Sequence, residues 1–263
     1  MIEWLLPEKR NWLHDVNAGA KFFVVFVLLI IALVNWNPTF ALYQAVVYTT
    51  LLFFVTGLAT YKIGLLSLPA IISAFSTFVT MTLFGRGETV YWQWLIFKVS
   101  EESVRQGILL ALKTLAFSAL SLFLLVTTNP MLLAYSLMQQ FKLPSKYAYS
   151  FIASIRLLPI IVEEFHARRN ALMIRGIQFS KGWRGVGERL EQYTVPLFAQ
   201  SIRRAQRIAV AMESKQYHMG KSRTYYYETT YTKRDALFIL IMSVLVMSLY
   251  VLARLFPLSF TFI

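Results

Sequence analysis

The sequence predicts an all-α integral membrane protein of about five transmembrane helices with a cytoplasmic insert of amphipathic helices. Three observations predict it. The chain is 57% hydrophobic and only 15% charged, whereas an ordinary soluble domain carries roughly a quarter charged residues. Its apolar residues gather into runs of about 20, the length that crosses a bilayer. The basic excess is also local. Net charge is +13, and residues 141–235 hold 17 Lys and Arg against 7 Asp and Glu.

Taken in chain order, the N-terminus MIEWLLPEKRNWLHDVNAGAK lacks the basic-then-apolar order and small-residue cleavage site of a signal peptide. Four apolar spans follow: Phe22 to Trp36, Thr39 to Leu58, Ile63 to Phe84 and Gln106 to Thr128. Asn37-Pro38, Tyr61-Lys62, the loop GRGETVYWQWLIFKVSEES and Asn129-Pro130 separate them, all plausible breaks. A fifth span, Ala236 to Phe256, stands alone at the C-terminus. Lys and Arg in short flanks set orientation. Lys9, Arg10 and Lys21 precede the first span and Lys62 lies in the second loop. The first loop is uncharged, and the third balances Arg86 and Lys98 with Glu88, Glu101 and Glu102. The N-terminus is therefore expected in the cytoplasm and the C-terminus outside. The domains are then 1–128, four spans; 129–235, a cytoplasmic insert; and 236–263, the last span.

Within the insert, PMLLAYSLMQQFKLP reads as a short amphipathic helix closed by Pro144. Ser145 to Arg175 reads as a longer one, with Ile155, Leu158, Val162, Phe165 and Leu172 at three- and four-residue steps. GIQFSKGWRGVGERL is expected to be a glycine-rich turn, and a second long helix runs from about Thr194 to Lys215. Phe198, Ile202, Ala205, Ala209 and Met212 fall on one of its stripes, and Arg203 and Arg207 on another face. Pro159 and Pro196 are read as lying near the helix starts, where a first turn or a kink tolerates them.

Catalytic chemistry is scarce. No cysteine is present, which excludes disulfides and thiolate sites. SKGWRGVG lacks the spacing of a phosphate cradle, and no nucleophile-elbow or zinc-helix motif occurs. His14, His166 and His218 are scattered, so no metal site is expected. Glu163 and Glu164 sit beside Arg156 and Arg168 on the same helix, and Glu164 to Arg168 has the favourable i,i+4 order. Structural ion pairing is the expectation there. Lys113, about two turns into the fourth span, is the one charge read as intramembrane; a lysine snorkelling to the outer face is the favoured reading and a functional role in the span the other.

Two basic helix tips remain: Ile174-Arg175-Gly176 within ALMIRGI, and Ser214-Lys215-Gln216 within VAMESKQY. A lone basic residue at a helix C-terminus merely complements the dipole. Two matched tips suggest two equivalent sockets, as a dimeric partner offers.

With WLHDVNAGAKFF, VTTNP, RLLPIIVEE and RRAQRIAVAMES in order, the chain resembles the transmembrane (T) component of energy-coupling factor transporters, modular uptake ABC systems of prokaryotes. The first of these stretches is similar to the family's opening Leu-His-x-x-(Asp/Asn)-x-x-x-Lys. The resemblance implies that each X-Arg-X tip docks in one subunit of an ABC-type ATPase dimer, homo- or heterodimeric. ATP and Mg would be bound by those partners and no cofactor by this chain. It further implies a separate membrane-embedded substrate-binding (S) subunit that holds a vitamin, a vitamin precursor or a transition metal ion. That subunit would slide on apolar surfaces such as Leu132, Leu133 and Leu137, or Ala205, Ala209 and Met212. The second tip departs from the motif. Lys215 lacks the guanidinium fork, and Gln216 removes the glycine that would end the helix in a left-handed turn. Two other classes stay open: a self-sufficient small-solute transporter or channel, and a membrane-bound enzyme using Glu163, Glu164 and His166. Lipid is an expected contact; nucleic acid is not.

Overall fold

The computed structural model describes residues 12–85, 90–94, 97–217, 225 and 227–257. Lys9, Arg10, Arg86, Glu88 and His218 lie outside them. The chain divides into a membrane unit, Met1–Ser136 with Thr229–Ile263, and a second unit, Leu137–Glu228. The second unit is narrower than the insert expected over 129–235.

In the membrane unit, a 3-10 turn at Trp12–Asp15 buries Leu13 and delivers Asn17 to the start of α1, Ala18–Val34. The Asn17 side chain accepts from Gly19 N at 2.9 Å, so the helix begins at this cap, four residues before the apolar run. Asn37 caps α2, Pro38–Val55, in the same way, with Pro38 at the first helical position. α3 spans Thr60–Phe84 and α4 spans Glu101–Thr127. Ser100 caps α4, and Glu101 and Glu102 in its first turn complement the dipole. The helix therefore starts five residues ahead of the predicted Gln106. α5 covers Pro130–Gln140, and α8, Lys233–Leu255, opens on a reciprocal capping box between Thr232 and Asp235.

The stretch read as a plain loop after α3 contains an antiparallel hairpin, β1 Val90–Trp94 with β2 Phe97–Ser100. Its aromatic and β-branched composition favours strand pairing.

α4 is the central helix, packed by α1, α2 and α3, while α8 packs on α1 and α2. The core joins Val25 and Leu28 of α1, Tyr48 and Leu52 of α2, Ala116, Leu120 and Phe123 of α4, and Phe238 and Met242 of α8. By length and composition, three helices among the described residues can cross a membrane: α3, α4 and α8. α1 and α2 are apolar but shorter, at 17 and 18 residues, or about 26 Å at 1.5 Å per residue. That is the lower end of spanning length.

Two buried lysines tie α1 to α4 reciprocally. Lys21 of α1 donates to Thr127 O at 2.8 Å, the last residue of α4. Lys113 of α4 donates to Leu33 O at 3.0 Å, in the last turn of α1. Each supplies a cation to carbonyls that a helix end leaves without backbone donors. Lys113 therefore does not snorkel: it is 6% exposed, with its ammonium 4.5 Å from the centre of the Trp36 ring. Lys21, counted in sequence as a flanking charge, is 1% exposed inside α1.

The second unit is built on α6, Ser145–Ile174, and α7, Trp183–Ser214. α7 begins about three turns earlier than expected, inside the stretch read as a turn. Two hydrogen bonds from Ser180, through N and Oγ at 3.0 and 2.8 Å, engage Glu188 and clamp the turn onto the first helical residues. They hold the Glu188 carboxyl below its ordinary value. A Cβ at Gly185 would stand 1.6 Å from Ser180 O, so this close approach requires glycine. With these bounds Pro159 and Pro196 are interior, not near the helix starts.

Candidate functional site

Both basic tips close with the same main-chain geometry. At the end of α6, Gly176 has φ +66°; its N–H reaches Met173 O at 3.0 Å and Ile177 N reaches Leu172 O at 3.2 Å. At the end of α7, Gln216 has φ +55°; its N–H reaches Glu213 O and Tyr217 N reaches Met212 O, both at 2.9 Å. Each pair of bonds is a Schellman cap, with an apolar residue five positions from its apolar partner (Leu172 and Ile177, Met212 and Tyr217). Arg175 and Lys215 occupy the identical C-cap position. Both are exposed and make no ion pair with a described residue. The left-handed turn forms at Gln216 even without the glycine of the motif. Four carbonyls need donors at a helix end, and those bonds outweigh the penalty of a side chain at positive φ.

The tips stand at opposite ends of the α6–α7 hairpin. Tyr217, just past the second tip, meets the start of α6 through Ser145 Oγ at 3.4 Å and the Tyr149 ring at 5.7 Å. Arg175 ends α6, 26 residues beyond Tyr149, so the tips are about 40 Å apart along the helix rise.

The seam between α6 and α7 combines polar contacts with an aromatic one, the Phe165 and Tyr193 rings 5.1 Å apart. Glu164 pairs with Arg204 of α7 and accepts from Gln200 Nε2 at 3.4 Å. The predicted Glu164–Arg168 pair does not form, because Arg168 is engaged elsewhere. Its Nε donates to Gln192 O at 2.6 Å. That carbonyl lies four residues before Pro196, which has no N–H to give it; Arg168 replaces the missing donor. Arg156, Glu163 and His166 are exposed on α6. Arg156 and Glu163 make no ion pair with a described residue. No group of three His, Asp or Glu able to hold a metal ion occurs among the described residues. Sequence reading missed Arg204 and Gln200, whose partner lies about 40 positions away. It could have found Arg168, since an interior proline announces an orphan carbonyl.

Part of each apolar stripe faces outward, while Leu172 at the end of the α6 stripe is buried. Leu158, Val162, Phe198 and Ile202 are 58%, 50%, 64% and 57% exposed. Ala205 and Ala209 are exposed beside them, while Met212 turns partly inward. On α5, Leu132 is exposed and Leu133 and Leu137 are half-buried. Exposed apolar stripes of this kind mark interaction surfaces.

The profile of the CbiQ family, described as cobalt transport protein, matches residues 9–226. The chain is 27% identical over 253 residues to the energy-coupling factor transporter transmembrane protein EcfT of Limosilactobacillus fermentum, covering 92% of this chain and 93% of that protein. It is 29% identical over 247 residues to the protein of the same name from Brevibacillus brevis, with 90% and 92% covered. The Bacillus subtilis protein of that name is 28% identical over 263 residues, with 91% and 93% covered. The family profile spans the capped N-terminus, α1 to α4 and both matched tips, and on that ground this chain belongs to the CbiQ family and is a transmembrane component of the energy-coupling factor type.

Proposed function

We propose that the chain is the transducer of an energy-coupling factor importer, with the N-terminus and the second unit cytoplasmic and the C-terminus outside. Two ABC-type ATPase subunits bind ATP and Mg and each receives one tip. The α6–α7 hairpin passes their approach to a separate membrane-embedded S subunit, which carries a vitamin, a vitamin precursor or a transition metal ion. The observation that carries this reading is the pair of matching Schellman-capped tips, each presenting one exposed cation, at the two ends of one hairpin. The outward apolar stripes fit a sliding contact with the S subunit. The alternative of an enzyme draws nothing from Glu164, which is held by Arg204. A self-sufficient carrier draws nothing from Lys21 and Lys113, which are spent on helix ends.

Co-purification tests the reading. In the solubilised complex, Arg175→Ala combined with Lys215→Ala is expected to lower recovered ATPase at least tenfold, with the thermal transition of the membrane protein unchanged. Full recovery of ATPase by that variant would overturn the docking assignment.

A further inference from the structure

Tyr217, which closes the second tip, works on two helices at once. Its N–H donates to Met212 O and the Gln216 N–H to Glu213 O, both at 2.9 Å, so main-chain bonds lock residues 212–217 together. The Tyr217 ring stands edge-on to the Tyr149 ring of α6, with centroids 5.7 Å apart and planes at 88°, an arrangement that aromatic pairs favour. Its hydroxyl reaches Ser145 Oγ at 3.4 Å. Both partners belong to the first turns of α6. A Schellman cap asks of its outermost residue only an apolar contact on its own helix, the place Ile177 fills at the first tip. Tyr217 does more than that.

The two ends of the hairpin are held unequally. Near Arg175 the chain itself joins α6 to α7, and Phe179 packs on Tyr193 at 6.0 Å while Tyr193 packs on Phe165 at 5.1 Å. Near Lys215 the facing residues Ser145 and Tyr217 are 72 positions apart in sequence. The salt bridge of the seam reaches Arg204, ten residues short of Ser214, where α7 ends. An opening of about 10° at the turn would move the far end of a 32-residue helix by roughly 8 Å at the standard rise. We propose that Tyr217 is the positioning residue that closes this open end. The cap fixes Lys215 to Tyr217, the ring fixes Tyr217 to α6, and the span between Lys215 and Arg175 is set within the chain before any ATPase binds. The functional weight of that span rests on the transducer reading, since two sockets of one dimer are filled together only by tips that match their separation.

Spin-label distances in the full chain, in nanodiscs without ATPase, read the span directly. The chain has no cysteine, so Met173→Cys with Glu213→Cys marks the two tips, and Glu191→Cys with Glu213→Cys reports along α7 alone. Tyr217→Ala removes the ring contact and is expected to broaden the first distribution about twofold, leaving the second unchanged. Tyr217→Phe keeps the ring and should restore the original width. An unbroadened first distribution with Tyr217→Ala overturns the proposal. Should both distributions broaden because the cap itself has melted, Tyr149→Ala decides by the same comparison, since it removes the facing ring and leaves the cap bonds in place. ATPase binding to the nanodiscs supplies the functional readout. Tyr217→Ala is expected to weaken it about tenfold with both tips present, and less than about twofold in an Arg175→Ala background, where one tip binds alone and span no longer counts. Equal losses in the two backgrounds would make Tyr217 part of the second tip's own structure and overturn the positioning role. Binding indifferent to Arg175→Ala and Lys215→Ala together would instead overturn the docking assignment, and the positioning role with it, whatever the distances show.

Discussion

At Gln216 the main chain adopts a left-handed conformation that its side chain disfavours, at φ +55°; an L-residue there costs about 1 kcal/mol relative to glycine. The cost is local, so its relief should be local as well. Gln216→Gly is expected to slow hydrogen exchange at the amides of residues 216 and 217 roughly fivefold, the equivalent of about 1 kcal/mol in the opening equilibrium. Unchanged exchange would mean that the left-handed turn is not the state populated in the membrane. At the first tip the same substitution already stands, since Gly176 fills that position. Lys215 and Arg175 differ in chemistry and not in placement. Lysine offers a compact, rotatable charge where arginine offers a planar fork, so the two tips suit different acceptor geometries at equal reach.

Among the elements, α7 shows most directly how composition and contact part company. Its periodicity marks an apolar stripe, yet the face turned to α6 carries Arg204 and Gln200, and Arg168 answers a carbonyl that Pro196 leaves without a donor. This predicts a non-additive pair. Arg168→Ala alone is expected to destabilise the chain by about 1 kcal/mol, the scale of an exposed charge-assisted hydrogen bond. In a Pro196→Ala background residue 196 regains its N–H, and the cost of Arg168→Ala should fall below half. Thermal unfolding of the four proteins in detergent measures both, and strictly additive losses would refute the link. The existence and order of the helices were legible in sequence because 20-residue apolar runs and Asn, Ser and Pro caps are local signals. The hairpin between α3 and α4, the early start of α7 and the interior position of both prolines were not. Each depends on a contact such as Ser180 with Glu188 or β1 with β2, which composition does not announce. Both tips were legible as charge and spacing. The left-handed turn at Gln216 was not, because main-chain bonds override the residue's own preference.

For the molecule as a whole, five crossings require α1 and α2 to span despite lengths near 26 Å at the standard rise. The reciprocal lysines bear on this: at the C-terminal end of α1 and of α4, one carbonyl near the helix end accepts from a lysine of the other helix, which lowers the cost of placing that end at depth. Single cysteines in the cysteine-free chain test the layout. In intact cells a membrane-impermeant thiol reagent should label Trp36→Cys and Phe256→Cys and spare Lys181→Cys. Labelling at 181 from outside would reverse the orientation, and protection at 36 would remove α1 and α2 from the spans. The Schellman caps carry a last consequence at this scale. Because main-chain bonds shape each tip, its form is independent of the one residue that gives it charge. On the transducer reading, a change of a single codon at 175 or 215 can therefore re-address a tip to a different motor subunit while the lever behind it keeps its length and pitch.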